Sequence, residues 1–315
     1  MNMTNRFIPS TLTAALTLVL LTACGESDIE QIEQRELDAA QRAVAAEAGT
    51  QSPTIAPEAG EANSGVDTTN LELIFSDEFN GAALDSTKWG TAQQWGPDLV
   101  INDELQYYVD TQSNPDFGYN PFSFDGESLT ITATETPDEL QAVANGQPYL
   151  SGVLSTAGKF EMIHGYIEAR MDFPAGTGLW PAFWMLSADF EDLKPQLFIA
   201  EGNGAEPDSF FHNYNYHDAN GNLRSPGQYK ITHEEFAEGF HTLGVSWKSN
   251  ELLFYVDGIP RYKIIGENVA NQAMYLIANL AVGGVWTGAP DSTTTLPAEL
   301  KIDYIRAYRH IGSQN

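Results

Sequence analysis

In the stretch "GYIEARMDF", Gly165 to Phe173, the residues Tyr166, Glu168, Arg170 and Asp172 alternate with Ile167, Ala169, Met171 and Phe173. A strand turns successive side chains to opposite faces, so this pattern gives one polar and one apolar face, with no coherent stripe for a helix. It predicts a half-buried strand. Similar short runs recur as "LELIFSDEF", "SLTITATE", "HTLGVSWK", "ELLFYVDG", "MYLIANLAVGG" and "LKIDYIRAYR", each bounded by Gly, Asn, Asp or Pro. Asp125-Gly126 and Asp257-Gly258 are turn signals of the kind that join antiparallel strands. Long amphipathic helices are missing from this part of the chain. The expectation is one all-β domain over residues 71–311, an antiparallel sandwich without internal repeat. An apolar content of 42% in 315 residues is ample for its core.

The first 70 residues read differently. After Arg6 comes the apolar run "LTAALTLVLLTAC", too short to span a bilayer comfortably and suited to a signal-peptide core. It closes on "LTAC", which resembles a bacterial lipobox, so residues 1–24 are expected to be a signal segment ending in a lipidated Cys24. Cys24 is the only cysteine, which excludes an intramolecular disulfide and a CxxC metal or redox site. Residues 25–70, rich in Glu, Ala, Gln, Ser and Pro, cannot bury much apolar surface and are expected to be an acidic flexible tether, with 312–315 as a short tail. The expected location is the bacterial cell envelope, lipid-anchored. Gly25 and Glu26 after Cys24, without an adjacent Asp, point to the outer membrane, and the facing, periplasmic or surface, stays open. A net charge of -28, from 15 basic against 43 acidic residues, argues against nucleic acid as partner, because phosphate binding relies on basic side chains that release counterions.

Aromatic residues beside Gly, Pro and polar segments are candidate surfaces for sugar rings. Trp95, Tyr107, Tyr108, Trp180, Trp184 and Trp286 occupy such positions. Trp180 and Trp286, each next to Gly and Pro segments, are expected as groove walls, whereas Trp184 and Trp247 are expected in the core.

The segments "FSDEFNGAALDSTKW", "NDELQYYVD", "GKFEMIHGYIEARMDFPAGTGLWPAFWML" and "ANLAVGGVWTGAPDSTTTLPAELKIDYIRAY" together resemble glycoside hydrolase family 16, nearest to its laminarinase-like, endo-β-1,3-glucanase members. The resemblance implies a concanavalin A-like β-jelly roll of two curved antiparallel sheets, with a concave cleft for β-linked polysaccharide, foremost β-1,3-glucan. It also implies retaining hydrolysis by two glutamates. The family signature E-x-D-x-x-E aligns with "QLFIAE", which puts Gln196 at the nucleophile position, Phe198 at the helper position and Glu201 at the acid/base position. Residues i and i+2 of a strand share a face but i+5 does not, so the motif requires one bulged residue between Phe198 and Glu201. A retaining mechanism needs two carboxyl groups roughly 5 to 5.5 Å apart, and an amide cannot form the glycosyl-enzyme bond.

The reading of the site is therefore β-glucan recognition by a hydrolase-like lipoprotein without turnover. Its expected binding residues are Trp95, Glu104, Tyr107, Trp180, Asn213, His217 and Trp286, with Asn213, Asn215 and His217 expected near Glu201. Two alternatives stand beside it. One is an active endo-β-glucanase in which Glu104, Glu206, Asp208 or Asp218 supplies a second group. The other is a structural or interaction lipoprotein with an unused cleft. No cofactor is expected for catalysis. The resemblance adds a structural calcium site at Glu78 and Asp303, since calcium seeks six to eight oxygen ligands.

Overall fold

The computed structural model describes residues 66, 69–190, 192–225 and 228–311. The signal segment with Cys24, nearly all of the tether and the tail 312–315 lie outside the described residues. Seventeen strands follow in chain order: β1 Leu71–Asp77, β2 Gln106–Tyr108, β3 Phe122–Phe124, β4 Leu129–Glu135, β5 Tyr149–Ser151, β6 Val153–Ser155, β7 Gly165–Asp172, β8 Leu179–Ser187 and β9 Gln196–Glu201, then β10 Ser209–His217, β11 Leu223–Arg224, β12 Tyr229–Thr232, β13 His241–Lys248, β14 Glu251–Val256, β15 Ile259–Ile265, β16 Met274–Val282 and β17 Ala298–His310. The helical elements among the described residues are two short 3-10 turns, Asp138–Leu140 and Glu234–Ala237.

The strands form two sheets. The larger has ten strands with the path β15-β14-β13-β7-β17-β4-β5-β2, and β1 and β3 pair with β17 and β4. The smaller has seven, with the path β11-β10-β9-β8-β16-β6 and β12 on β10. Pairing is antiparallel except between β2 and β5. This is the expected all-β jelly-roll sandwich.

The alternation that predicts β7 also sets its register. Ile167, Ala169 and Met171 are fully buried in the sandwich core, while Glu168, Arg170 and Asp172 lie half-buried on the other face. The central strands of the smaller sheet behave differently. On β8, Leu179, Phe183 and Met185 join the main core, and Ala182, Trp184 and Leu186 join a second apolar cluster on the outer face with Tyr275 and Ile277 of β16. Both faces are covered, which is why "GLWPAFWML" and "MYLIANLAV" read as nearly continuous apolar runs. Burying a Leu or Phe side chain contributes roughly 1.5 to 3 kcal/mol, so a one-residue slip of β9 would expose Leu197 and cost several such terms. Register on this sheet is strongly specified.

Trp247 is fully buried and its Nε1 donates to the Ala270 carbonyl at 2.8 Å, as the core expectation requires. Gly165 opens β7 with φ 138°, and a Cβ there would run into the Tyr308 carbonyl oxygen of the neighbouring β17. Gly165→Ala should therefore lower the unfolding free energy of the domain by on the order of 3 kcal/mol, read from the denaturant midpoint. An unchanged midpoint would contradict this packing.

Candidate functional site

The site is built on one irregularity in β9. In the β8–β9 ladder Trp184 faces Phe198 and Phe183 faces Ala200, with a shift between them. The β9–β10 ladder shows the same shift between Phe211, opposite Glu201, and Asn213, opposite Phe198. Ile199 and Ala200 both point into the main core. One residue thus bulges, and Gln196, Phe198 and Glu201 come to share the outer face, as the parity of the motif requires.

Glu201 is 3% exposed. Trp180 Nε1 donates to its Oε1 at 3.1 Å, and the side chain of Gln228 also hydrogen-bonds to it. Burial pushes its carboxyl up to about 8, and the two hydrogen bonds only partly offset that. At neutral pH Glu201 is a protonated acid, able to donate a hydrogen bond. Trp286 packs perpendicular to Trp180, with ring centroids 5.2 Å apart, and to Phe211 at 4.9 Å. Trp180 and Trp286 thus form an aromatic corner beside Glu201, as groove walls would.

Phe198 lies flat on Trp184, with centroids 5.2 Å apart and planes 13° apart. Trp184 Nε1 donates to Asn279 Oδ1 at 2.8 Å, and Asn279 Nδ2 donates to the Tyr108 hydroxyl at 2.9 Å. Trp95 packs against the same cluster. Trp184 is therefore buried, as expected, but it is buried under Phe198 on the outer face rather than between the sheets. Asn215 Nδ2 donates to Gln196 Oε1 at 3.3 Å, and Asn213 Oδ1 accepts from Ser225 Oγ at 3.0 Å. The floor of the site thus consists of aromatic rings, amides and one neutral acid.

Three expected binding residues, Tyr107, His217 and Glu104, sit away from Glu201. Tyr107 is 7% exposed and stacks on Phe117 in a satellite core, at 5.5 Å. Its neighbour Tyr108 takes the outer-face place instead, because adjacent strand residues point oppositely. His217 lies six residues beyond Phe211 on β10, about 20 Å along the strand, and contacts Asp192 at 3.3 Å. The antiparallel ladder carries later residues of β10 toward the start of β9, so Asn213 and Asn215 approach the motif while His217 passes it.

None of the four candidate second carboxylates is a hydrogen-bond partner of Glu201. Glu104 is buried, accepts from Asn102 Nδ2 at 3.0 Å and Gln106 Nε2 at 2.6 Å, and is pushed by burial to about 6. It bridges Gly283, three strand spacings from Glu201, or about 14 Å across the sheet, and four residues further along β16 than Asn279, which lies level with Glu201 through Ala182. Glu206 is held by Lys230, which pairs with Phe211 and lies 5.7 Å over its ring, and Asp208 accepts from Ser209 Oγ at 2.8 Å. Asp218 closes the β10–β11 turn, where the Asn222 and Asn220 backbone N–H groups and Arg224 hold its carboxyl down at about 2. On the outer face of β8, β9, β10 and β16, Glu201 is the only carboxylate.

The expected calcium pair does not form a cradle either. Glu78 makes a two-point ion pair with Arg306, at 2.9 and 2.6 Å, and Asp303 pairs with Arg170. Each charge is already balanced by an arginine. No group of three or more His, Cys, Asp or Glu that could hold a metal occurs among the described residues.

Gln228 and Asn279 are site residues that motif reading missed, and Tyr108, a candidate aromatic there, is absent from the expected binding set. Asn279 had a signal, as a lone amide inside an apolar run on a central strand. Gln228 had none.

The model of the family described as "Glycosyl hydrolases family 16" matches residues 106–306. Endo-1,3-1,4-beta-glycanase ExsH of Rhizobium meliloti is 35% identical over 250 residues, covering 77% of this chain and 53% of the relative. The beta-glucanase of Rhodothermus marinus is 32% identical over 267 residues, covering 76% and 86%. Among solved structures, the endo-beta-1,3-glucanase from Pyrococcus furiosus aligns with a TM-score of 0.65 at 29% identity, over 78% of this chain and 97% of that one. The chain spans about half the length of the first of these relatives. With its jelly-roll sheets and the bulged motif strand in place, the chain belongs to glycosyl hydrolases family 16 and is laminarinase-like within it.

Proposed function

We propose that this protein recognises laminarin-type β-1,3-glucan without hydrolysing it, from a lipid anchor on the cell envelope. The observation that carries the proposal is that Glu201 is the one carboxylate on the outer face of β8, β9, β10 and β16. Gln196 and Phe198 stand at the two positions where the family motif has its nucleophile and helper, and no other carboxylate shares that face of the four central strands. A protonated Glu201 can donate to a glycosidic or hydroxyl oxygen. A retaining cleavage also needs an anion roughly 5 to 5.5 Å away to bond the anomeric carbon, and a neutral amide cannot provide it.

What remains suits recognition. The free face of Phe198, backed by Trp184, offers an apolar plate for a pyranose ring, and the Gln196, Asn213 and Asn215 amides offer donors and acceptors for its hydroxyls. Trp180 and Trp286 provide a second plate beside Glu201. The similarity to a Pyrococcus furiosus endo-beta-1,3-glucanase and a Rhodothermus marinus beta-glucanase supports β-glucan as the ligand class. Export and anchoring rest on the N-terminal apolar run and Cys24. Acyl chains buried at about 0.8 kcal/mol per CH₂ would keep the domain at a membrane.

Calorimetric titration with a soluble β-1,3-gluco-oligosaccharide tests the proposal. The domain should bind, and the sugar should be recovered intact. Trp180→Ala and Phe198→Ala should each weaken binding by about 1 to 3 kcal/mol, or roughly 5- to 150-fold. No binding by the wild type, or full affinity in both variants, would contradict it.

The protonation of Glu201 sets the pH dependence. Its folded-state value is raised, so the donor is present at low pH and is lost as pH rises through about 8. Affinity should be flat from pH 5 to 7 and decline toward pH 9. Glu201→Gln keeps an N–H donor and should remove the decline. A variant that retains the same pH profile as the wild type would show that another group controls it.

A further inference from the structure

Bulges leave an extra residue whose backbone groups fall out of the ladder, and a buried carbonyl without a partner is costly. At the β9 bulge a single side chain meets that requirement. His212 of β10 lies between Phe211 and Asn213, opposite the shift in register, and is fully buried. Its Nδ1 is 2.5 Å from the Ile199 carbonyl oxygen. The carbonyl can only accept, so Nδ1 carries the hydrogen and donates. The ring is stacked on Phe254 of the opposite sheet, with centroids 4.8 Å apart and planes 30° apart. Nε2 has no hydrogen-bond partner among the described residues. One hydrogen bond and one stacking contact therefore fix the imidazole, and the hydrogen bond is made to the bulge.

We infer that His212 is the positioning residue of the site: by holding the Ile199 carbonyl it keeps β9 bulged, and the bulge is what turns Glu201 to the same face as Phe198 and Gln196. Without that bond the strand can relax toward regular pairing, which would send Glu201 toward the core or shift Phe198 off Trp184. Burial pushes the imidazole down to about 4, with Arg261 adding to the shift, so the ring is neutral across the physiological range and suited to a fixed one-proton role. His212 does not face the sugar-binding surface; it acts through Ile199.

The experiment compares His212→Leu, which removes the donor, with His212→Asn, whose Nδ2 can donate from about the same place as Nδ1. The readouts are the Glu201 titration midpoint, followed by carboxyl NMR, and affinity for a β-1,3-gluco-oligosaccharide. Only the second readout rests on the proposed function; the first needs no glycan. His212→Leu should move the Glu201 midpoint away from the wild-type value and weaken binding at least about tenfold, while His212→Asn should stay within a few-fold of wild type. A folded His212→Leu with the wild-type midpoint would overturn the inference. Should His212→Leu fail to fold, histidine NMR of the wild-type protein decides: an Nδ1–H tautomer with a slowly exchanging proton is required, and an Nε2–H tautomer or a charged ring at neutral pH would overturn it.

Discussion

The bulge in β9 is the constraint on which the site depends. A regular strand would place Glu201 and Phe198 on opposite faces, one of them in the core. The inserted residue instead lets Leu197, Ile199 and Ala200 pack inward while Gln196, Phe198 and Glu201 point out. The inward set is fully buried, which anchors the strand on both sides of the irregularity. Core packing therefore fixes the geometry of the outer face.

On that fixed geometry, the proposed function rests on two residue types that differ from the family motif. An amide in place of a carboxylate at 196 removes the charge that could attack an anomeric carbon. A phenyl ring in place of a carboxylate at 198 removes a second charge and covers Trp184 with another flat surface. Both losses act on Glu201. Losing two neighbouring anions favours ionisation, but burial disfavours it more and pushes the Glu201 carboxyl up to about 8. On the proposed reading, a pair of carboxylates that would cycle a proton is thereby reduced to one hydrogen-bond donor set among aromatic rings.

Much of this was legible in the sequence. The alternation in β7 and the turn dipeptides predict the sandwich, and the family signature aligned with "QLFIAE" implies the bulge. Trp180 and Trp286 lie beside Glu201 and are not fully buried, in line with the Gly and Pro next to each. Other residues escaped for physical reasons. Tyr107 and Tyr108 are adjacent on a three-residue strand, too short for a pattern to reveal which ring faces which way. Trp184 looks like sandwich core because both faces of β8 are apolar, and only the register separates them. His217 was placed by proximity in sequence, whereas the antiparallel ladder runs it past the motif. Glu78 and Asp303 were expected to share an ion, but Arg306 and Arg170 are brought to them by long-range pairing of β17.

The most direct measurement is the release of new reducing ends from a soluble β-1,3-glucan by four proteins: wild type, Glu201→Gln, Gln196→Glu/Phe198→Asp, and that double variant combined with Glu201→Gln. If the missing carboxylates at 196 and 198 are what silences the site, the wild type releases no more than Glu201→Gln. The double variant gains activity, and the triple variant loses it. Release by the wild type that disappears in Glu201→Gln would contradict the account and show that another group supplies the second half of the chemistry.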